Sequence, residues 1–241
     1  MRSRWADNTE QRELQALWLL CFEEDSKADA ASFFANFPPQ RHTRVIAADG
    51  KLAAMASWMP VTLCGRSAQC AGAYLYAVAT HPAARGRGLC RALLAELEAV
   101  LWAQSISFTA LCPIAASLYG FYGSMGYEPA FAPKASAPVA AAGTLVEITP
   151  AAYRQLRERW LTPPYCRWDA PAYAYLAGTD VRFYRTGAGG CVAIELLDDG
   201  GTRVLEQLGC HLAASEAPQG MIKWHTAPWD VREANLGFAF D

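Results

Sequence analysis

The sequence lacks the patterns that would commit it early to one of the common functions. Its eight cysteines never fall as C-x-x-C, and His42, His211 and His225 stand at no ligand spacing from Cys or Asp, so no bound metal is expected. Basic residues are not in excess. The formal net charge of −2 excludes the electrostatic footprint of a nucleic-acid-binding chain. The opening "MRSRWADNTEQREL" has no apolar core ahead of its charges, which argues against a secretory leader; reduced thiols and a cytoplasmic location are therefore expected. No charge occurs between Glu98 and Glu128, but Pro113, Gly120, Gly123 and Gly126 interrupt that run, which predicts a buried strand and helix and no membrane span. The Walker pattern G-x-x-x-x-G-K-[ST] is missing, and only a fragment of the dinucleotide fingerprint G-x-G-x-x-G is present, well away from the first strand.

What is there is apolar. A hydrophobic fraction of 53% against 18% charged provides a sizeable core, and 241 residues suit one large domain or two small ones. "TEQRELQALWLLCFEED" has Leu14, Leu17, Trp18, Cys21 and Phe22 at helical spacing, and "ADAASFFANF" predicts a second helix stopped by Pro38-Pro39. Two apolar runs around Asp49-Gly50 predict a hairpin. "GAYLYAVAT" reads as a buried strand, "ISFTALC" as another, "AASLYGFYGSMG" as a short helix and "YEPAFA" as a closing strand. This order predicts an α/β domain over residues 1–131. The small, Pro/Ala-rich stretch 132–143 reads as a linker. A smaller α+β domain is expected over 144–241, with a helix at "AAYRQLRERWL", further helical residues to Leu176, three strands, then "GMIKWHT" and "NLGFAF".

The chemistry concentrates in "THPAARGRGLCRALLAELEAVLW", Thr80 to Trp102. A strand ends in a glycine-rich turn that opens a helix. The first N–H groups of a helix have no intrahelical acceptor, and the helix dipole adds positive potential there. Glycine lets the backbone approach a phosphate without a Cβ in the way, and two arginines add charge-assisted donors. A pyrophosphate suits such a turn.

The segment resembles the acetyl-CoA-binding motif of the GNAT superfamily of N-acetyltransferases, R/Q-x-x-G-x-G/A, here Arg85 to Cys90, and "LYGFYGSMGYEP" resembles the family's second mark. Cys90 stands where the motif ends in Gly or Ala. With "RGLCRALL" and "YGSMGY", the chain resembles the branch of the enhanced-intracellular-survival (Eis) acetyltransferases over residues 10–131. The resemblance implies a GNAT-type mixed, mostly antiparallel sheet flanked by helices, with the tail as a possible degenerate GNAT-like half. It implies acetyl-CoA as co-substrate and transfer of an acetyl group to a primary amine. It places main-chain groups of Val78, Ala79 and Thr80 along the pantetheine arm. Arg85, Gly86, Arg87, Gly88, Leu89 and Cys90 fall around the pyrophosphate. Ser117 is either a cofactor contact or an N-cap, and Tyr122 is the acid that protonates the departing thiolate.

An ammonium must lose a proton before it attacks, so a base is needed. "GAYLYAVAT" holds no Asp or Glu, and in the resembling branch the C-terminal carboxylate serves, here Asp241. The alternative for Asp241 is a frayed terminus. "CRWD" at 166–169, "IKWHTAPWD" at 222–230, and Phe33, Phe34 and Phe37 read as core, with an acceptor wall as the alternative. The expected partner is a small-molecule or protein amine, with no nucleic acid and no membrane, and an oligomer is open. The rival function is a CoA-binding regulatory or scaffold domain without catalysis, kept alive by the missing strand carboxylate.

Overall fold

Residues 2–131, 143–210 and 220–225 are described by the computed structural model. The segment 132–142, His211, the terminal "NLGFAF" run and Asp241 lie outside the described residues.

Turn chemistry sets the early elements. After β1 (Arg4–Trp5) come α1 (Gln11–Cys21), α2 (Lys27–Asn36) and α3 (Pro39–His42). Ser26 starts α2 with a capping box: its hydroxyl accepts from the N–H groups of Ala28 and Asp29, and the Asp29 carboxylate accepts from the N–H of Ser26. β2 (Thr43–Ala48) and β3 (Lys51–Cys64) form the expected hairpin. Its two linking residues, Asp49 at φ 52° and Gly50 at φ 74°, supply the positive φ that a two-residue turn needs. β4 (Gln69–Thr80), α4 (Leu89–Ala103), β5 (Phe108–Leu111), α5 (Ser117–Gly123) and β6 (Glu128–Phe131) follow as expected. α4 buries Leu89, Leu93, Leu94, Leu97 and Leu101 on one face. Each such side chain contributes roughly 1.5–3 kcal/mol.

The later part contains β7 (Leu145–Glu147), α6 (Pro150–Trp160), β8 (Tyr165–Trp168), α7 (Ala170–Ala177), β9 (Val181–Thr186), β10 (Cys191–Leu196), β11 (Thr202–Leu208) and β12 (Gly220–Trp224). Two sheets result. The larger has the order β1-β2-β3-β4-β5-β12-β6, with β8 beside β3; the smaller has the order β11-β10-β9-β7. All pairings in the larger sheet are antiparallel except β4 with β5.

Sheet membership departs from the boundaries expected from sequence. β8, read as helical, is a strand continuing the edge of β3 beyond the end of β2, with Leu63 opposite Cys166. β12, assigned to the second unit, lies between β5 and β6 in the first sheet. Its Lys223 ammonium donates to Glu98 of α4 at 2.5 Å, and the Tyr127 hydroxyl donates to the same carboxylate at 2.6 Å. Glu98 is 2% exposed, so this pairing offsets the cost of burying its charge. One core lies on each face of the large sheet, under α4 on one side and under α1 and α2 on the other. A separate core lies between α6, α7 and the small sheet. Among the described residues no helix is long and apolar enough to cross a membrane.

Candidate active site

The central strands separate where the site begins. β4 and β5 run parallel and pair only from Gly72 with Phe108 to Tyr74 with Ala110. β4 continues to Thr80, and beyond Tyr74 no described strand pairs it on the β5 side. On its other side the register with β3 slips: Met55 faces Ala79, yet Ser57 faces Tyr76. The additional residue makes a bulge, and Ala77 within it has φ 46°. A non-glycine residue in that region costs free energy and persists only where its surroundings hold it. The result is an open stretch of strand edge along Val78 and Ala79. The Thr80 carbonyl is already engaged, accepting from Arg85 Nε at 3.3 Å and from the Cys21 thiol at 3.5 Å.

The glycine turn lies at the end of this edge. Gly86 at φ 75° and Gly88 at φ 74° adopt backbone that other residues rarely take, and a Cβ on either would meet nothing within 4 Å. Arg85 and Arg87 are exposed beside them. Gly88 at the N-cap of α4 offers no side-chain acceptor to the first N–H groups of this 15-residue helix. These features fit a pyrophosphate. Leu89 is buried in the core, so its contribution to the turn is its main chain. Cys90 is half-buried, and burial pushes its thiol up to about 11, which keeps it neutral. Ser117 is the exposed first residue of α5; the cap position belongs to Ala116, so Ser117 does not N-cap. Arg91 bonds the carbonyl and hydroxyl of Ser124, tying α4 to the end of α5.

A cavity of about 350 Å³ opens from the bulge, lined by Ala77, Val78, Leu111 and Cys112. Tyr122 of α5 reaches it and is 8% exposed. Burial, with a smaller contribution from Cys90, holds its phenol above the ordinary range, so it stays protonated. A protonated phenol beside the split strands can donate a proton to a leaving group.

The remaining wall was not anticipated from sequence. It is made by Trp18 of α1, Phe22 just past that helix, Asp25, and Tyr74 and Tyr76 of β4. Asp25 directly precedes the Ser26 cap, and its Oδ2 accepts from Trp18 Nε1 at 2.6 Å. Partial burial, followed by neighbouring carboxylates, raises its pKa, although the Trp18 bond opposes the shift. Among the described residues lining the cavity, Asp25 has the only carboxylate. Aromatic faces with one carboxylate make a setting in which an ammonium is attracted twice, by charge and by ring quadrupoles. Of the aromatics suspected of walling a pocket, Trp168 packs behind Tyr74, while Phe33, Phe34 and Phe37 are core. His225 stacks on Trp102, with centroids 4.6 Å apart, away from the cavity.

The acetyltransferase (GNAT) domain family matches residues 2–130. Solved structures resemble nearly the whole chain. A GCN5-related N-acetyltransferase from Anabaena variabilis is 17% identical with a TM-score of 0.68, covering 92% of this chain and 72% of that one. A probable N-acyltransferase from Enterococcus faecalis is 15% identical with a TM-score of 0.67, over the same shares of the two chains. Eis1 from Mycobacterium abscessus is 14% identical with a TM-score of 0.61, covering 88% of this chain and 60% of that one. At these identities the likeness is one of fold, and at that level the resemblance to the Eis branch holds. No curated protein matches. The family match spans more than half of the chain, and the strand split, glycine turn and Tyr122 fall inside it: the chain belongs to the GNAT acetyltransferase family.

Proposed function

We propose that this protein is an acetyl-CoA-dependent N-acetyltransferase acting on a cationic amine. One observation carries this reading: a single cavity is lined by the bulge of β4, by Tyr122 and by Asp25. The pantetheine arm would lie along Val78 and Ala79, and the pyrophosphate on the turn from Arg85 to Cys90. Tyr122 donates its proton to the departing sulfur. Asp25 holds the acceptor ammonium and takes the proton that the amine must lose. A carboxylate with a raised pKa is the better base near neutral pH. Asp241, the candidate base from sequence, is the alternative. The domain division that goes with this reading is a catalytic unit over 1–131 and a degenerate GNAT-like half after 143, with the second lending β8 and β12 to the first sheet. The non-catalytic scaffold reading loses ground to the enclosure of Tyr122 and Asp25 in one cavity.

Thiol release from acetyl-CoA over a panel of polyamines, aminoglycosides, arylalkylamines and amino acids tests the reaction. At least one amine should be acetylated, with one equivalent of CoA released per acetyl group transferred. CoA binding without release on any amine would overturn the enzymatic reading. Asp25→Asn and a chain extended by two glycines past Asp241 separate the bases. The first variant should lower kcat by about 10²-fold and the second should not; the reverse result would return the role to Asp241.

A further inference from the structure

Tyr74 and Tyr76 stand two residues apart on β4, so they share a face, and both line the cavity. Each has one support from the part of the chain after residue 143. The Trp168 ring of β8 meets Tyr74 edge-on at 5.1 Å. The Tyr76 hydroxyl is bonded to the Tyr175 hydroxyl of α7 at 2.9 Å. Tyr175 is 5% exposed and does not line the cavity.

Tyr175 is itself firmly held. Its main-chain carbonyl accepts from the Ser32 hydroxyl of α2 at 2.9 Å, and its ring meets Phe33 edge-on at 5.4 Å. Just past α7, a Cβ on Gly178 would lie 2.2 Å from Ser32 Oγ, so α7 approaches α2 as closely as glycine permits. The Tyr76 ring is stacked on Phe33 at 5.4 Å and meets Trp18 edge-on at 5.6 Å. These ring contacts fix the plane of Tyr76. The hydroxyl pair adds a directional bond at its tip, and a buried hydroxyl deprived of its partner seeks another.

We propose that Tyr175 is a positioning residue for the acceptor: through a single hydroxyl, the second unit holds Tyr76 in the cavity wall and so sets how tightly the acceptor is bound. The proposal rests on the reading of this cavity as the acceptor site. It gives the second sheet and its helices a part in the reaction although none of their described residues lines the cavity.

The test compares Tyr175→Phe, Tyr76→Phe and the double variant in the full chain, with spermidine, kanamycin and tryptamine as acceptors. Tyr175→Phe should raise the acceptor KM by about five-fold, as expected for one lost hydrogen bond. The acetyl-CoA KM, kcat and Tm should stay near wild-type values, because Tyr122 and the turn are untouched. Tyr76→Phe should match it, and the double variant should be no worse than either, since both remove the same bond. An unchanged acceptor KM, or a rise in both KM values together with a fall in kcat and Tm, would overturn the proposal. If none of the three amines is acetylated by the wild type, the transferase reading fails for them separately. The positioning claim is then decided by N-ethylmaleimide labelling of Cys112, which lines the same cavity. Faster labelling in both single variants, and no faster in the double, supports it; unchanged labelling overturns it.

Discussion

Leaving aside the short α3 and the lent strand β8, the first half runs β1, α1, α2, β2, β3, β4 and the second runs β7, α6, α7, β9, β10, β11, with the strands in the same spatial order and all antiparallel. Both fourth strands even carry an additional residue, at Ala77–Val78 in β4 and at Leu205 in β11. The two halves diverge at the corner after that strand. In the first, Gly86 and Gly88 look onto open space ahead of α4. In the second, a Cβ on Gly209 would lie 2.4 Å from the Trp160 ring, so an aromatic plugs the corner, and no helix follows among the described residues. β11 also has the carboxylate that β4 lacks, but Glu206 is spent on the core. It accepts from Arg157 Nε at 2.8 Å and from the Tyr153 hydroxyl at 2.6 Å. The comparison locates the capacity for chemistry in an open corner and a cavity, not in the strand plan the halves share.

The largest effect should come from breaking the pinned carboxylate. Glu206→Ala leaves Arg157, 2% exposed, with its charge uncompensated, and should cost about 3–5 kcal/mol in urea unfolding. A loss below 1 kcal/mol would mean that the ion pair does not hold the second core. Arg157 also donates to the Cys166 carbonyl of β8 at 3.2 Å, so the damage should extend to the strand lent to the first sheet.

The two corners can be set against each other directly. At 100 times its Kd, a ligand bound only by the folded state adds about 2.7 kcal/mol of stability. Gly88→Val places a β-branched residue at φ 74° in the open turn and should abolish the rise in Tm that CoA causes in the wild type. Gly209→Ala should lower Tm outright, through the clash with Trp160, and leave the CoA-induced rise intact. Were both variants to behave alike, the distinction between an open and a plugged corner would be lost.

Much of the first half was legible because its signals are local: Asp49-Gly50 between apolar runs, the glycine turn opening α4, Tyr122 near the end of α5. β1 was not, because two residues carry no periodicity. β8 and β12 were misplaced because nothing within four or five residues says which sheet they join; that is decided by partners more than 90 residues away, Leu63 for Cys166 and Ala110 for Ile222. Asp25 was missed for a different reason. It closes the run Glu23-Glu24-Asp25, which looks like a solvated surface, and only the fold brings Trp18 Nε1 onto it. A faint signal existed in the Ser26 to Asp29 capping box, which fixes the residue before it. Tyr74 and Tyr76 were visible as alternating tyrosines, but the cavity they face was not.

Tyr122 distinguishes chemistry from architecture within the first half. Tyr122→Phe keeps the ring and should lower kcat by about 10²-fold, with stability and acetyl-CoA KM little changed. Tyr119→Phe, one turn earlier in α5, should retain most activity. A fully active Tyr122→Phe would remove the general-acid role.

The smallest expected change is in stability at Asp25, and its sign is informative. The folded-state pKa of Asp25 is raised, first by burial. A raised value means that folding favours the protonated form, so the group's contribution to stability is full below the ordinary aspartate value and is lost as pH rises through the folded one. At neutral pH the ionised, half-buried carboxylate therefore weakens the fold. Asn keeps a carbonyl to accept from Trp18 Nε1 while removing the charge, so Asp25→Asn should be more stable than the wild type at pH 7. The gain should be below about 1 kcal/mol, because solvent screens a half-exposed charge, and it should vanish on acidification as the wild-type carboxylate is protonated. Paired Tm measurements at pH 7 and at pH 4 read this directly. A variant more stable and less active would mark Asp25 as a residue retained for the acceptor at the expense of the fold. In contrast, Glu206, the buried carboxylate of β11, should be worth keeping for stability alone. Were Asp25→Asn less stable at both pH values, the bond to Trp18 would outweigh the burial of the charge, and Asp25 would be a structural acid like Glu206.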